Sequence, residues 1–335
     1  MLTIFDPRQT AHAPALEMHN GGWVPHAEVP GRAVNILACL GDVMPPVDHG
    51  LAPVVAIHDP AYVEFLRTAH DRWLAAGRSG DAVGYIWPVV RRRAIALDRI
   101  DALLGRYSFD AGTPITADTW DSAYWAAQSA LTALDLLLAG TARASFALCR
   151  PPGHHAGADY LGGYCYLNNA AIAAQAARDA GIAKVAILDL DYHHGNGTQD
   201  IFWTRHDVLF VSIHADPRED YPFYWGHADE RGEGAGSGAT LNLPLPQGTK
   251  MGAYADALAV ARGAIARFAP GLLVVSFGAD TFEQDPISHF AIATADYPDI
   301  ARIVAGLGLP TLIVMEGGYA VNALGTNVAA FLAGF

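Results

Sequence analysis

Lys184-Val185-Ala186-Ile187-Leu188-Asp189-Leu190-Asp191-Tyr192-His193-His194-Gly195-Asn196-Gly197 carries an apolar run straight into a knot of ionisable side chains. Val185 to Leu188 predicts a short strand covered on both faces, as strands of parallel sheets are. Residues two apart on a strand share a face, so an extended chain points Asp189, Asp191 and His193 the same way. Buried unpaired charge is costly, and such groups shift their pKa, find a partner or bind a cation. An Asp-x-His pair at a strand end, before a glycine turn, is the first half of a metal site. The competing reading is a helix-capping aspartate beside a surface histidine pair; the other strand ends weigh against it.

Around this strand, Leu2–Phe5 reads as a first, edge strand and Gln9–Pro30 as a loop. Helices are predicted over Gly31–Leu40 and Ala61–Ala76, with a strand at Val54–Ile57 between them. Residues 78–117 show no clear period and hold the basic run Arg91-Arg92-Arg93, read as a solvated or salt-bridged face. Asp118–Leu138 is a helix that places Trp120, Tyr124, Ala127, Leu131 and Leu134 in the core. Asn168 or Asn169 caps a helix running to Ala180, which Gly181 stops. Strands Ser145–Cys149, Asp207–Ile213, Leu272–Phe277 and Pro310–Met315, a polar loop His214–Gly238, a helix Tyr254–Phe268 and a last helix within Ala320–Phe335 complete the chain. Alternation of strands and helices predicts an α/β fold: one domain over residues 1–335, a central parallel sheet flanked by helices on both faces.

Of the 335 residues, 52% are hydrophobic and 16% charged, which is globular and core-rich. A net charge of -13 disfavours nucleic acid and anionic membranes as partners. Cys39, Cys149 and Cys165 are odd in number, which argues against a disulfide framework and for a reducing compartment. The start, Met1 to Asp6, has no signal-peptide character. These features predict a cytoplasmic protein.

Ligands of open parallel sheets bind beyond the carboxyl ends of the strands. His154-His155, Asp189 to Asn196, His214, Asp280 and Glu316 to Tyr319 all follow predicted strands. The simplest assignment puts Asp191, His193 and Asp280 on one divalent metal and leaves open positions for water and substrate. Zn²⁺ fits best, and Fe²⁺ or Mn²⁺ are compatible with the oxygen-rich set. His154-His155, held by Pro151, Pro152 and Gly153, supply proton transfer, and Tyr319 donates its hydroxyl to an oxyanion.

The segments Arg150-Pro-Pro-Gly-His-His-Ala-Gly, Gly162-Gly-Tyr-Cys-Tyr-Leu-Asn-Asn, Asp189-Leu-Asp-Tyr-His-His-Gly-Asn-Gly-Thr-Gln, Gly278-Ala-Asp-Thr-Phe-Glu-Gln-Asp-Pro and Glu316-Gly-Gly-Tyr occur in that order. Together they resemble the histone deacetylase family of the arginase/deacetylase fold, and within it the class II-like bacterial acetylpolyamine amidohydrolases. The resemblance implies Zn²⁺ on Asp191, His193 and Asp280, with His155 as general base and then acid. It makes His154 the electrostatic partner, Tyr319 the group that polarises the amide carbonyl, Asp189 the orienter of His154 and Asn196 that of His155. It further implies a structural K⁺ near Asp189, Asp191, Ser212 and the carbonyls of His193 and Ile213. Gly163, Tyr164 and Tyr221 would wall the substrate channel, where aromatic faces suit an alkyl-ammonium chain. Asp101 and Asp110 would meet substrate charge, although one expected glutamate position carries Gly112. The 78–117 loop would mediate a homodimer. The implied activity is removal of acetyl groups from small acetylated amines, acetylpolyamines first. A lysine deacetylase acting on acetylated protein, a non-catalytic acetyl-ligand binder and a two-Mn²⁺ arginase-like hydrolase are the alternatives.

Overall fold

In a computed structural model, residues 1–88 and 95–335 are described; the Arg91-Arg92-Arg93 run lies outside the described residues. The strands are β1 (Leu2–Ile4), β2 (Leu16–His19), β3 (Gly22–Pro25), β4 (Val43–Met44), β5 (Ala144–Ala147), β6 (Val185–Asp189), β7 (Val208–Ala215), β8 (Thr240–Leu245), β9 (Leu272–Phe277) and β10 (Thr311–Met315). The helices are α1 (Gly31–Cys39), α2 (Ala52–Val55), α3 (Pro60–Ala75), α4 (Ile100–Arg106), α5 (Thr119–Leu138), α6 (Asn169–Asp179), α7 (Asn196–Phe202), α8 (Met251–Phe268), α9 (Tyr297–Ala305) and α10 (Val321–Leu332).

Eight strands form one sheet in the order β4-β1-β5-β10-β9-β6-β7-β8, and every pairing within it is parallel. Alternate residues of each central strand serve opposite faces. Ala186 and Leu188 of β6, with Leu273, Val275 and Phe277 of β9, pack against α1, α8, α9 and α10. Val185 and Ile187, with Leu272 and Val274, pack against the alanine-rich faces of α5 and α6. Every residue of β6, β9 and β10 is buried, which is why these strands read as unbroken apolar runs. The opposite side of α5 meets α3 and α4 in a third cluster around Tyr62, Phe65 and Leu103.

Several expectations are corrected. β1 is not an edge strand, because β4 pairs beyond it. Val54–Ile57 is not a strand: α2 makes one helical turn there, with Ala56 N–H on Ala52 C=O at 3.1 Å. Four apolar residues alone do not distinguish the two states. The 78–117 stretch contains α4, whose Ile100, Leu103 and Leu104 are buried at helical spacing. The Gln9–Pro30 stretch contains the β2–β3 hairpin, turned by Asn20 (φ 49°) and Gly21 (φ 78°). Trp120 and Tyr124 are half-buried rather than core; the Arg67 guanidinium lies 5.9 Å from the Trp120 ring.

A buried ion cluster ties the amino-terminal region to the sheet. Glu28 Oε1 accepts from Arg32 Nη1 and faces Arg150 Nε, each at 2.8 Å. Burial alone raises the Glu28 pKa, but the Arg150 and Arg32 charges outweigh it and hold the group at about 2. The folded-state pKa lies below the ordinary 4.5, so this stabilisation is present above pH 4.5 and fades as the pH falls towards 2. Glu28→Gln removes that acid sensitivity and costs on the order of 3–5 kcal/mol at pH 7 by stranding two buried arginines. Urea unfolding of both proteins between pH 2 and 7 measures the difference.

Candidate active site

β5, β10, β9 and β6 are consecutive in the sheet, so the loops leaving their carboxyl ends meet over one patch. Those loops carry His154-His155, Glu316 to Tyr319, Asp280 and Asp191-Tyr192-His193 respectively.

β6 ends at Asp189; Leu190 N–H continues its ladder to Ser276 C=O at 2.8 Å, and the chain then bends over Asp191 to His193. Asp189, Asp191 and His193 therefore do not share the one extended face that the sequence predicts. Asp189 turns to His154, while Asp191 and His193 converge on Asp280. The ligand atoms of these last three lie within 4.8 Å of one another. His193 Nδ1 is 3.4 Å from Asp191 Oδ1 and 3.2 Å from Asp280 Oδ2. Backbone N–H groups steady the carboxylates: Gly317 donates to Asp191 Oδ2 at 2.8 Å and Tyr192 to Asp280 Oδ1 at 2.9 Å. A Cβ at Gly278 or Gly317 would collide with these carboxylates. Burial and then the Asp191 charge push the Asp280 pKa up. His193 is pushed up to about 10, the two carboxylates overriding burial. A buried cluster that draws positive charge this strongly, with a carboxylate–carboxylate–imidazole donor set, fits a divalent cation.

A second group of donor atoms, from His154, Cys165 and Glu316, is also close enough to share an ion. Its chemistry is different. Glu316 Oε2 already accepts from Gly153 N at 2.7 Å and His154 N at 3.1 Å, which anchors the histidine loop. Burial, and then Glu316, push the Cys165 thiol well above its ordinary pKa, and a thiol is a poor metal ligand.

The two histidines are placed in opposite charge states. His154 Nδ1 lies 3.0 Å from Asp189 Oδ2. Burial opposes its charge, but Asp189 and Asp191 raise its pKa to about 10. His155 Nδ1 meets Asn196 Oδ1 at 2.7 Å. An amide oxygen only accepts, so Nδ1 of His155 carries the proton and Nε2 presents its lone pair. Burial and then the charges of His154 and His193 hold His155 well below its ordinary pKa.

Tyr319 follows Gly318, whose φ of 122° favours glycine. Asp285 Oδ2 accepts from Tyr319 N at 2.7 Å and Ala320 N at 3.2 Å. Arg32 donates to the carbonyls of Gly318 and Glu316, each at 2.6 Å. Burial raises the phenol pKa, so the hydroxyl stays a donor.

A cavity of about 550 Å³ opens over this patch, lined by His155, Gly163, Tyr164, His193, Tyr221 and Tyr319 among others. Asp110 and Gly112 also line it. Asp110 is largely engaged with the walls: its Oδ2 accepts from Gly163 N at 2.7 Å and Tyr221 Oη at 2.8 Å. Asp101 is not at the cleft. It sits on α4, bound by Arg78 at 2.5 Å and Arg99 at 2.8 Å, because the α4 turn faces those arginines. Glu17, Glu219, Asp220 and His289 also line the cavity and were missed from sequence. Asn20-Gly21 was the available signal for Glu17: such a pair between extended segments marks a hairpin, and β2 brings Glu17 to the wall. Asp220 Oδ2 accepts from Tyr192 Oη at 2.9 Å and Gln247 Nε2 at 2.8 Å. Ser212 and Ile213 lie fully buried on β7, and Ser212 is the register partner of Asp189.

Residues 26–335 match the model of the histone deacetylase domain. The chain belongs to the histone deacetylase family. This deacetylase is 50% identical over 342 residues to acetylpolyamine amidohydrolase 1 of Pseudomonas aeruginosa, covering 100% of this chain and 99% of the relative. It is 47% identical over 339 residues to the acetylpolyamine amidohydrolase of Mycoplana ramosa, again over 100% and 99% of the two chains. A crystal structure of the acetylpolyamine aminohydrolase from Burkholderia pseudomallei superposes with a TM-score of 0.96 at 43% identity, covering 100% of this chain and 98% of that one. The family implies a divalent metal, and Asp191, His193 and Asp280 are residues able to hold one. No helix among the described residues is long and apolar enough to cross a membrane.

Proposed function

We propose that this deacetylase removes acetyl groups from acetylpolyamines, with Zn²⁺ held by Asp191, His193 and Asp280. One observation carries the substrate class. Glu17, Asp110, Glu219 and Asp220 line the cavity, and no Lys or Arg among the described residues does. Such a cleft concentrates a cationic chain, and Tyr164 and Tyr221 offer it aromatic faces. The full-length likeness to proteins named acetylpolyamine amidohydrolases supports the same reading.

When bound, zinc supplies Lewis acidity towards the acetamide carbonyl and makes water acidic enough to deprotonate near neutral pH. His155 Nε2 takes the water proton and later returns it to the departing amine, while Asn196 keeps the ring in the required tautomer. His154, held cationic by Asp189, stabilises negative charge as it develops. Tyr319 donates its hydroxyl to the oxyanion of the tetrahedral intermediate.

The K⁺ assignment fits the buried polar row formed by Asp189, Ser212 and Ser276. Ser212 and Ser276 are register partners of Asp189 on either side, and the Ser276 hydroxyl is buried with no hydrogen-bond partner among the described residues. The proposed set is Asp189, Asp191, Ser212 and the carbonyls of His193 and Ile213, with Ser276 beside Asp189 on the neighbouring strand. The reading also makes the protein a cytoplasmic homodimer, with Cys39, Cys149 and Cys165 free. Its interface would include residues 78–117, where Tyr85 and Ile86 are 66% and 57% exposed.

Side-by-side kcat/KM for N-acetylputrescine, acetylspermidine and an acetyl-lysine peptide tests the assignment, the polyamines being preferred. A peptide preference establishes protein-lysine deacetylation instead, and no turnover by the zinc-loaded protein makes it an acetyl-ligand binder. Glu17 adds a pH signature. Burial raises its pKa to about 7, so it is neutral below and anionic above that pH. KM for acetylspermidine therefore falls as the pH rises through 7, and Glu17→Gln abolishes that fall.

A further inference from the structure

The hydroxyl of Ser212 is committed as a donor by a residue outside every ligand set considered so far. His214 lies two positions along β7 and is fully buried. Its Nε2 is 2.9 Å from the carbonyl oxygen of Gly226, and its Nδ1 is 2.7 Å from Ser212 Oγ. A carbonyl oxygen only accepts, so Nε2 must carry a proton; otherwise two lone pairs would face each other in a dry interior. The ring is fully buried, and its hydrogen-bond partners among the described residues are a hydroxyl and a carbonyl rather than a carboxylate, so it is neutral and has one N–H. Nδ1 is then an obligate acceptor, and among the described residues the hydrogen available to it is that of Ser212 Oγ. With its proton turned to His214, Ser212 presents lone pairs alone to the space it shares with Asp189.

We propose that His214 is a positioning residue for the K⁺ site: it takes the Ser212 proton and so fixes Ser212 Oγ as a cation acceptor. The proposal rests on the K⁺ assignment made above. The Gly226 end is built to hold this orientation. Gly226 N–H donates to Glu230 Oε2 at 2.9 Å, and Glu230 Oε2 also accepts from Gln199 Nε2 at 2.7 Å. A Cβ at Gly226 would stand 2.8 Å from His214 Nε2 and 2.7 Å from His194 Cγ, and its φ is 99°. The Gly226 carbonyl is therefore held where it reads the tautomer. Without an acceptor at Nδ1, the Ser212 hydrogen must turn towards the space it shares with Asp189, where the cation's other proposed ligands lie, and compete with it.

Asparagine and glutamine separate the two ends of the ring. Asn places its amide near the Nδ1 position and can still accept the Ser212 proton. Gln reaches the Nε2 position and can still serve Gly226, but it leaves Ser212 without its acceptor. The experiment follows the thermal midpoint of the intact zinc-loaded protein against KCl, with ionic strength held by choline chloride. Wild type and His214→Asn should be stabilised at similar half-saturating K⁺. His214→Gln should need on the order of ten times more, the scale of one lost buried hydrogen bond. Equal half-saturation in wild type and His214→Gln overturns the proposal while leaving the K⁺ site standing. No K⁺ response in wild type overturns the K⁺ assignment itself, and the proposal with it. If His214→Gln does not fold, ¹⁵N imidazole shifts of the wild type decide: a protonated Nδ1 on His214 overturns the proposal, and an unprotonated Nδ1 beside a protonated Nε2 supports it.

Discussion

Asp280→Ala should abolish retention of the divalent ion and reduce hydrolysis of N-acetylputrescine to the rate of metal-stripped wild type. The reason lies in the charge balance of the patch. Asp191 and Asp280 are fully buried and accept backbone N–H groups from Gly317 and Tyr192. Removing Asp280 takes one of three donor groups and leaves His193 with Asp191 as its remaining carboxylate partner. Metal content by plasma emission should drop from about one ion per chain to near zero, since three protein ligands are the usual minimum for a catalytic zinc. Activity should fail in parallel and not return with added Zn²⁺, whereas stripped wild type recovers on reloading. Full turnover by Asp280→Ala, or by stripped wild type, removes the metal from the mechanism.

His155→Ala should have the second largest effect and a different signature: metal content should stay at the wild-type level while kcat/KM falls on the order of 10²–10⁴-fold, the range of general acid–base catalysis. The Asn196 amide fixes which nitrogen of His155 is basic, and burial, reinforced by the charge of His154, keeps the ring neutral. A histidine held below its ordinary 6.5 remains an available base at lower pH. In a Glu17→Gln background, where the Glu17 ionisation no longer contributes, the acid limb of the kcat/KM profile should consequently lie below pH 6.5, and it should disappear when His155→Ala is added. Loss of metal in that variant would instead make His155 a ligand.

The two effects differ because the loop after β5 and the loops after β6 and β9 contribute separate functions to one patch. Glu316 links them. Its side chain holds the histidine loop through Gly153 and His154, and its backbone carbonyl accepts from Arg32. Small displacements at the end of β10 would therefore reach both Tyr319 and the histidine pair.

The sequence by itself determined the α/β class, the buried central strands and the identity of the residues at their carboxyl ends. These are local properties. An unbroken apolar run at Leu272–Phe277 and a helix cap at Asn168 are written in neighbouring residues, and their boundaries agree with β9 and α6. Only the tertiary structure decided that β5, β10, β9 and β6 lie side by side, which alone explains why loops more than a hundred residues apart share a patch. It also decided that the chain bends after Asp189, that Asp101 pairs with arginines away from the cleft, and that a hairpin brings Glu17 to its wall. Each of those outcomes depends on which surfaces meet when the two faces of the sheet are covered. Packing between distant segments selects them, and no short-range periodicity records it.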